Sequence, residues 1–182
     1  MTDPFSLTDP LLARQIQTLS DGRRLQAIEL ARLNFRNFMA ELFAGDILTP
    51  ADQPVVPDWP NLDDAHRVHD GLPKLNVPLG RIFWATVTRD LPVIGLVIPN
   101  QAQPRDLIAG FGAFATAQHS DPFCRPIFVT QRLDILPFLG RYGFAIHHQW
   151  RPVTPRDFDY LANRYDLGQA RGLLDGTLIW KR

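Results

Sequence analysis

The chain has 182 residues, of which 45% are hydrophobic and 21% are charged, a composition typical of a globular domain that excludes an intrinsically disordered chain. Basic and acidic residues number 19 each, so no net charge is available to attract nucleic acid or an anionic membrane. The single cysteine excludes an internal disulfide framework, and without a secretory signal or a membrane-length apolar run we expect a cytoplasmic protein.

Residues 1–45 are predicted to be a helical segment at the front of a single domain that spans 1–182. Pro10 suits the first turn of a helix, and Ser20-Asp21 predicts a break between two helices. The second helix is predicted to pack one apolar face on a core and to end at Gly45. That face comprises Leu25, Ile28, Phe35, Phe38, Met39 and Leu42.

Residues 46–79 are rich in proline and are predicted to form an extended connector, because each proline lacks an N–H donor and disfavours helix at the preceding residue. A polar cluster in this connector would converge if it were helical, which makes metal binding conceivable. Solvated surface is the favoured interpretation, and we expect no metal. The cluster comprises Asp63, His66, His69 and Asp70.

Residues 80–182 are predicted to form a mixed α/β region whose first elements follow the order β-β-α-β-α-β. The segments 81–87 and 92–98 are rich in β-branched and aromatic residues, so they are predicted to pair as an antiparallel hairpin. Further helices are predicted at 105–118, 134–142, 156–165 and 167–174, and further strands at 126–130, 145–150 and 177–180.

Two motifs lie in this region, Leu107-Ile-Ala-Gly-Phe-Gly-Ala113 and Leu136-Pro-Phe-Leu-Gly-Arg-Tyr-Gly-Phe144. A glycine after the last helical turn can adopt the left-handed conformation, so Gly143 is predicted to end a helix and Phe144 to enter the core. With the order of elements, these motifs resemble the GNAT superfamily of acyl-CoA N-acyltransferases over residues 80–150. The first motif is similar to the family's pyrophosphate loop, although close packing of a helix on the sheet explains its glycines equally well.

The resemblance implies an α/β (α+β) fold with a twisted, mostly antiparallel central sheet flanked by helices. It implies transfer of an acyl group from acetyl-CoA, another acyl-CoA or a carrier-protein thioester to the amine of a small molecule or protein. Backbone groups of Val97 and Ile98 would hold the pantetheine arm, and Gly110 and Gly112 the pyrophosphate. The cofactor-binding candidates are Val97, Ile98, Gly110, Phe111, Gly112, Ala113 and Phe138.

The catalytic candidates are a base for the acceptor amine and an acid for the departing thiolate. His147 and Asp90 are the candidate bases, and His148 lies on the opposite face of the same predicted strand from His147. In the family a tyrosine acts as the general acid that protonates the thiolate, and Leu139 occupies the corresponding position. Tyr142, one helical turn later, is the candidate substitute. Cys124, which lies near His119 and Asp121, is interpreted as a loop thiol and not as a nucleophile.

The alternative is a non-catalytic binding or assembly module that acts through protein–protein contacts, including a homodimer. Leu107 and Leu139 favour it, because they replace the family's polar residues. The interaction surface would be the connector, or the N-terminal helices if their apolar surface is wider than one core can cover. An open gap between the strands at 92–98 and 126–130 would favour acyl transfer, and a closed gap would favour the module.

Overall fold

The computed structural model describes residues 10–48, 73–83 and 91–182. Asp90, the polar cluster in the connector and most of the first hairpin strand lie outside these residues. Residues 81–83, where that strand was expected to begin, form a turn. The elements follow in the order α1 (Pro10–Ala44), β1 (Val93–Ile98), α2 (Pro104–Ser120), β2 (Arg125–Thr130), α3 (Leu136–Arg141), β3 (Ala145–His148), α4 (Pro155–Tyr165), β4 (Leu167–Gly172) and β5 (Leu178–Lys181).

The five strands form one sheet in the order β3-β2-β1-β4-β5. β1 pairs in parallel with β2 and β4, β2 pairs in parallel with β3, and β5 pairs antiparallel with β4. The prediction of a mostly antiparallel sheet is therefore wrong for the described strands. The reason is that α2, α3 and α4 each connect consecutive strands by a crossover, which brings the next strand into the sheet in the parallel direction.

Helices cover both faces of the sheet, and each face has its own core. Along β1, Ile94, Leu96 and Ile98 face α1, α2 and α3, whereas Val93 and Val97 face α4, because successive side chains of a strand alternate. Four phenylalanines dominate the first core, and apolar side chains of α4 and β4 dominate the second. These are Phe38, Phe111, Phe128 and Phe138 in the first core and Phe158, Leu161, Leu167 and Ala170 in the second.

α1 is one continuous helix of 35 residues, so the predicted break at Ser20-Asp21 is wrong. The polar side chains near this point are satisfied on the helix surface, where the Thr18 hydroxyl donates to the Arg14 carbonyl and Gln17 donates to the Asp21 carboxylate. The C-terminal third of α1 packs on the first core as predicted, but the predicted core residue Leu25 is 63% exposed.

The turn from α3 into β3 has the predicted conformation. Gly143 follows the helix with a φ of 71°, its N–H donates to the Gly140 carbonyl, and the N–H of Phe144 donates to the Leu139 carbonyl. The Phe144 ring is buried and lies 5.1 Å from the Phe128 ring. The glycine thus ends the helix and places Phe144 in the core, as its position in the sequence indicates.

Residues 167–174 were expected to form a helix, but Leu167–Gly172 is strand β4, between β1 and β5. Ala170 packs closely on Gly95 of β1, since a Cβ atom built on Gly95 would lie 3.3 Å from the Ala170 Cβ. Leu167 and Ala170 are both fully buried. Burial between two strands and against α4 therefore outweighs the helix preference of this leucine- and alanine-containing segment.

Candidate functional site

The gap between β1 and β2 is closed. The two strands pair continuously from Val93 with Arg125 to Ile98 with Thr130. On its other edge β1 pairs with β4, and the carbonyl of Val97 accepts a hydrogen bond of 3.0 Å from the Leu173 N–H. Both edges of the strand to which the resemblance assigns a pantetheine arm are therefore occupied by other strands, the arrangement that favours the assembly alternative.

The glycines of the first motif lie inside α2, which begins at Pro104, so they do not open the helix. Interior helical N–H groups donate to carbonyls four residues earlier and do not project toward a ligand. A Cβ atom on Gly110 would lie 3.3 Å from the Leu173 carbonyl oxygen, and one on Gly112 would lie 3.6 Å from Leu42. The geometry gives both glycines a role in close packing.

The two aromatic cofactor-binding candidates lie in the first core. The Phe111 and Phe138 rings are buried, with centroids 6.2 Å apart, and Phe111 also packs on Phe128. Their surroundings are other apolar side chains of α1, α2 and α3. In this arrangement both rings stabilise the packing between helices and sheet.

Tyr142 is buried beside α1, with its ring 5.1 Å from Phe38 and 5.5 Å from Phe138. Burial and a hydrogen bond with Glu41 raise the pKa of Tyr142 to about 12. The tyrosine therefore joins the C-terminal part of α1 to α3, on the face of the sheet that carries α1, α2 and α3.

His147 lies on the opposite face, which carries α4. Its ring is 5.9 Å from the Tyr160 ring, and its Nε2 atom is 2.7 Å from Nε2 of Gln149. His148 faces the other way, as the alternation along the strand predicts, and its ring lies 6.0 Å from Trp150. The sheet therefore separates His147 from Tyr142 and Gly110, and these candidates do not converge on one site.

Cys124 is fully buried immediately before β2, and its Sγ atom lies 3.7 Å from Oε1 of Gln118. Burial raises the pKa of the Cys124 thiol to about 12, so the nucleophilic thiolate is disfavoured. Gln118 also donates to the Cys124 carbonyl and accepts from the Phe123 N–H. The Cys124 side chain therefore has the environment of a buried packing residue.

A cavity of about 900 Å³ lies between α2 and β4 and includes two of the predicted cofactor-binding residues, Gly110 and Ala113. It lies on the face of the sheet that carries α2, over the neighbouring strands β1 and β4. Arg171 lines it and donates to Oε1 of Gln169 and to the Gly176 carbonyl. Its apolar lining includes Ile94, Leu96, Phe114, Phe123, Leu173 and Leu174.

The N-terminal half of α1 stands clear of both cores, because every residue from 13 to 26 is exposed. Six exposed positions form one line along the surface of α1. They are spaced alternately by three and four residues, and the last two lie in the half of α1 that packs on the core. This spacing places side chains on one helix face and is the spacing of a coiled-coil seam. We call these positions the α1 seam: Ile16, Leu19, Arg23, Gln26, Leu30 and Leu33.

The sequence predicts a core-facing stripe on α1 and, as an alternative, a wider apolar surface on the N-terminal helices, but it does not predict that these six positions form one exposed line. Arg23 and Gln26 interrupt the seam, so its apolar residues form two separate pairs along the sequence. The structure also places a groove of about 580 Å³ beside Leu30, between α1 and the segment 78–83. Only the position of the core relative to α1 distinguishes the exposed seam from the buried face.

Within the described ranges, no helix is long and apolar enough to cross a membrane. Nor do three or more histidine, cysteine, aspartate or glutamate side chains gather as a metal-binding group in that part of the chain. Comparison of the chain with protein-family models, curated proteins and solved structures finds no match.

Proposed function

We propose that this chain is a self-assembly module that binds a second copy of itself through the α1 seam. The observation that carries the proposal is the exposure of large apolar side chains along α1, with Leu19 66% exposed on a half-helix that packs on neither of the two described cores. Most helices in proteins are stabilised by packing of an apolar face. A partner along the seam supplies that packing.

A second copy is the partner that the seam fits best. The seam extends about 26 Å from Ile16 to Leu33, the length of several helical turns, so it matches another helix rather than a small ligand. Helices with this spacing of apolar positions pack by inserting each side chain between those of a similar helix. A second copy of the chain carries the same helix, so every molecule is a potential partner for every other. Two-fold homodimers are also the commonest oligomers.

We expect the native protein to have twice the chain mass of 20.7 kDa at tens of micromolar and to dissociate on dilution. Leu30→Glu should raise the dissociation constant at least about 100-fold, because each buried leucine contributes about 1.5–3 kcal/mol and a symmetric dimer contains two. Light scattering coupled to size exclusion measures both effects. A monomer at all concentrations would contradict the proposal.

Leu25→Glu is the matched control for this substitution. Leu25 is an equally exposed leucine on α1, but it lies off the seam, about a third of a turn from it. We expect this variant to remain dimeric and to have the circular dichroism spectrum of the native chain. Equal dissociation by both variants would mean that general surface hydrophobicity, and not the seam, drives association.

Acyl-CoA binding is a second candidate function, favoured by the apolar cavity between α2 and β4 with Arg171 in its lining. Such a cavity suits a ligand with an apolar acyl group and anionic phosphates. Acetyl-CoA at a hundred times its dissociation constant should stabilise the fold by about 2.7 kcal/mol in a thermal-shift titration. Ala113→Phe, which fills the cavity, should abolish the shift, whereas Ala117→Phe outside the lining should not. An unchanged shift in the first variant would exclude the cavity.

A further inference from the structure

From the order of side chains along the seam, we infer that the two α1 helices pair antiparallel about a two-fold axis that passes between Arg24 and Leu25. This inference rests on the proposed self-assembly and adds the orientation and register of the pair. The register follows from a symmetry in the order of apolar and polar residues along the seam. The packing of α1 on the core does not by itself produce this symmetry.

The order of apolar and polar residues along the seam is the same from either end. Positions at equal distances from the midpoint of Arg24 and Leu25 are apolar in the outer layers and polar in the central layer. An antiparallel pair about that point therefore places apolar side chains opposite apolar side chains in every outer layer, which is the self-complementarity that a two-fold interface requires. The facing pairs are Ile16 with Leu33, Leu19 with Leu30, and Arg23 with Gln26.

Charge favours the antiparallel orientation over the parallel one. A parallel pair in register would place Arg23 opposite the second copy's Arg23, two like charges in the middle of an apolar seam, which is unfavourable. The antiparallel pair places each Arg23 opposite a Gln26, whose amide oxygen accepts hydrogen bonds. A polar layer of this kind specifies the register of paired helices at some cost in affinity.

The position of the folded core also favours the antiparallel orientation. The core packs only on the C-terminal part of α1, through Phe35, Phe38, Met39 and Leu42. In the antiparallel pair the free N-terminal half of each helix covers the exposed Leu30 and Leu33 of the other copy, and the two cores lie at opposite ends. The groove beside Leu30 then borders the N-terminal half of the second helix.

Cysteine cross-linking in the full-length protein tests the orientation. The double variant L19C/L30C should give a covalent dimer under mild oxidation, because the antiparallel register brings these positions together across the interface. Neither L19C nor L30C alone should cross-link, since each position lies about 16 Å along the axis from its own copy. The native Cys124 is buried, so we expect the native chain to form no cross-link under the same conditions.

Each result decides between the hypotheses. Cross-linking of both single variants would establish a parallel pair and overturn the antiparallel inference while leaving self-assembly intact. A dimeric mass without cross-links in any variant would also overturn the inferred register. A monomeric mass for the native chain would overturn both the inference and the proposed function, so the two failures are distinguishable.

A charge-pair experiment tests the same register without disulfide chemistry. L19E and L30K should each weaken dimerisation at least about 100-fold, and the double variant L19E/L30K should recover at least tenfold relative to either single variant. The carboxylate of L19E then faces the ammonium of L30K in both layers. In a parallel pair the same double variant places like charges opposite each other, so the absence of recovery would overturn the antiparallel register. Because Leu19 and Leu30 are exposed in the single chain, its fold should tolerate all three variants.

Discussion

Replacing Phe38 by alanine should lower the free energy of unfolding by about 3–5 kcal/mol, the cost expected when a large buried side chain leaves a cavity. Phe38 is 1% exposed and joins α1 to the rest of the fold. Its ring lies 4.9 Å from Phe138, 5.1 Å from Tyr142 and 6.1 Å from Phe144, so one substitution removes contacts to α3 and to the start of β3. Urea denaturation followed by circular dichroism measures the change.

Phe43→Ala provides the matched control, because Phe43 lies on the same helix but is 67% exposed. We expect it to change stability by less than about 0.5 kcal/mol. Both variants should be compared well below the dissociation constant of the dimer, since association stabilises the folded state and depends on concentration. A loss below about 1 kcal/mol for Phe38→Ala would mean that α1 does not depend on this aromatic contact.

Local signals in the sequence predicted most elements of the fold but not how the strands pair. The β-branched composition of β1 and the helix stop at Gly143 depend on residues close together in the chain, and both the predicted strand and the predicted stop are confirmed. Strand direction depends on where each crossover helix returns the chain, which local patterns do not encode. The mostly antiparallel sheet that the family resemblance implies is therefore not observed, because β1 pairs in parallel with β2 and β4.

The candidate site was less predictable because it depends on which face of the sheet each residue occupies. His147 and Tyr142 are five positions apart in the sequence, yet the sheet lies between them. The glycine motif of α2 has the same local pattern whether its N–H groups open a helix or lie within one, and Pro104 places the start of the helix earlier. The α1 seam likewise differs from the core-facing side of the helix only in its position relative to the core.

Asp157 should make the fold sensitive to acid. Its side chain is 2% exposed and accepts hydrogen bonds from Arg151 and from the N–H and hydroxyl of Thr154 at the start of α4. Burial alone would raise the pKa of Asp157, but hydrogen bonds from Gln149, Thr154 and Arg151 outweigh it and lower the pKa to about 2. The folded state therefore favours the carboxylate more strongly than the unfolded chain does.

The sign of the pH effect follows from this lowered pKa. Above the unfolded value of 3.8 the carboxylate contributes its full stabilisation, about 2 kcal/mol, and this contribution is lost as the pH falls from 3.8 to about 2. We expect Asp157→Ala to cost about 3 kcal/mol at pH 7, since it removes the helix cap and the hydrogen bonds to a charged arginine. The cost should shrink toward pH 2, where the native carboxyl becomes protonated.

Urea denaturation at a series of pH values separates this effect from general acid unfolding. Asp159→Ala is the control, because Asp159 lies on the same helix but is exposed, and its cost should stay within about 0.5 kcal/mol at every pH. Gln149 contacts both Asp157 and His147, so the loss of Asp157 should also broaden the His147 ring signals in NMR spectra. A cost for Asp157→Ala that does not change between pH 7 and pH 2 would show that the carboxylate charge adds nothing to the stability of the α4 cap.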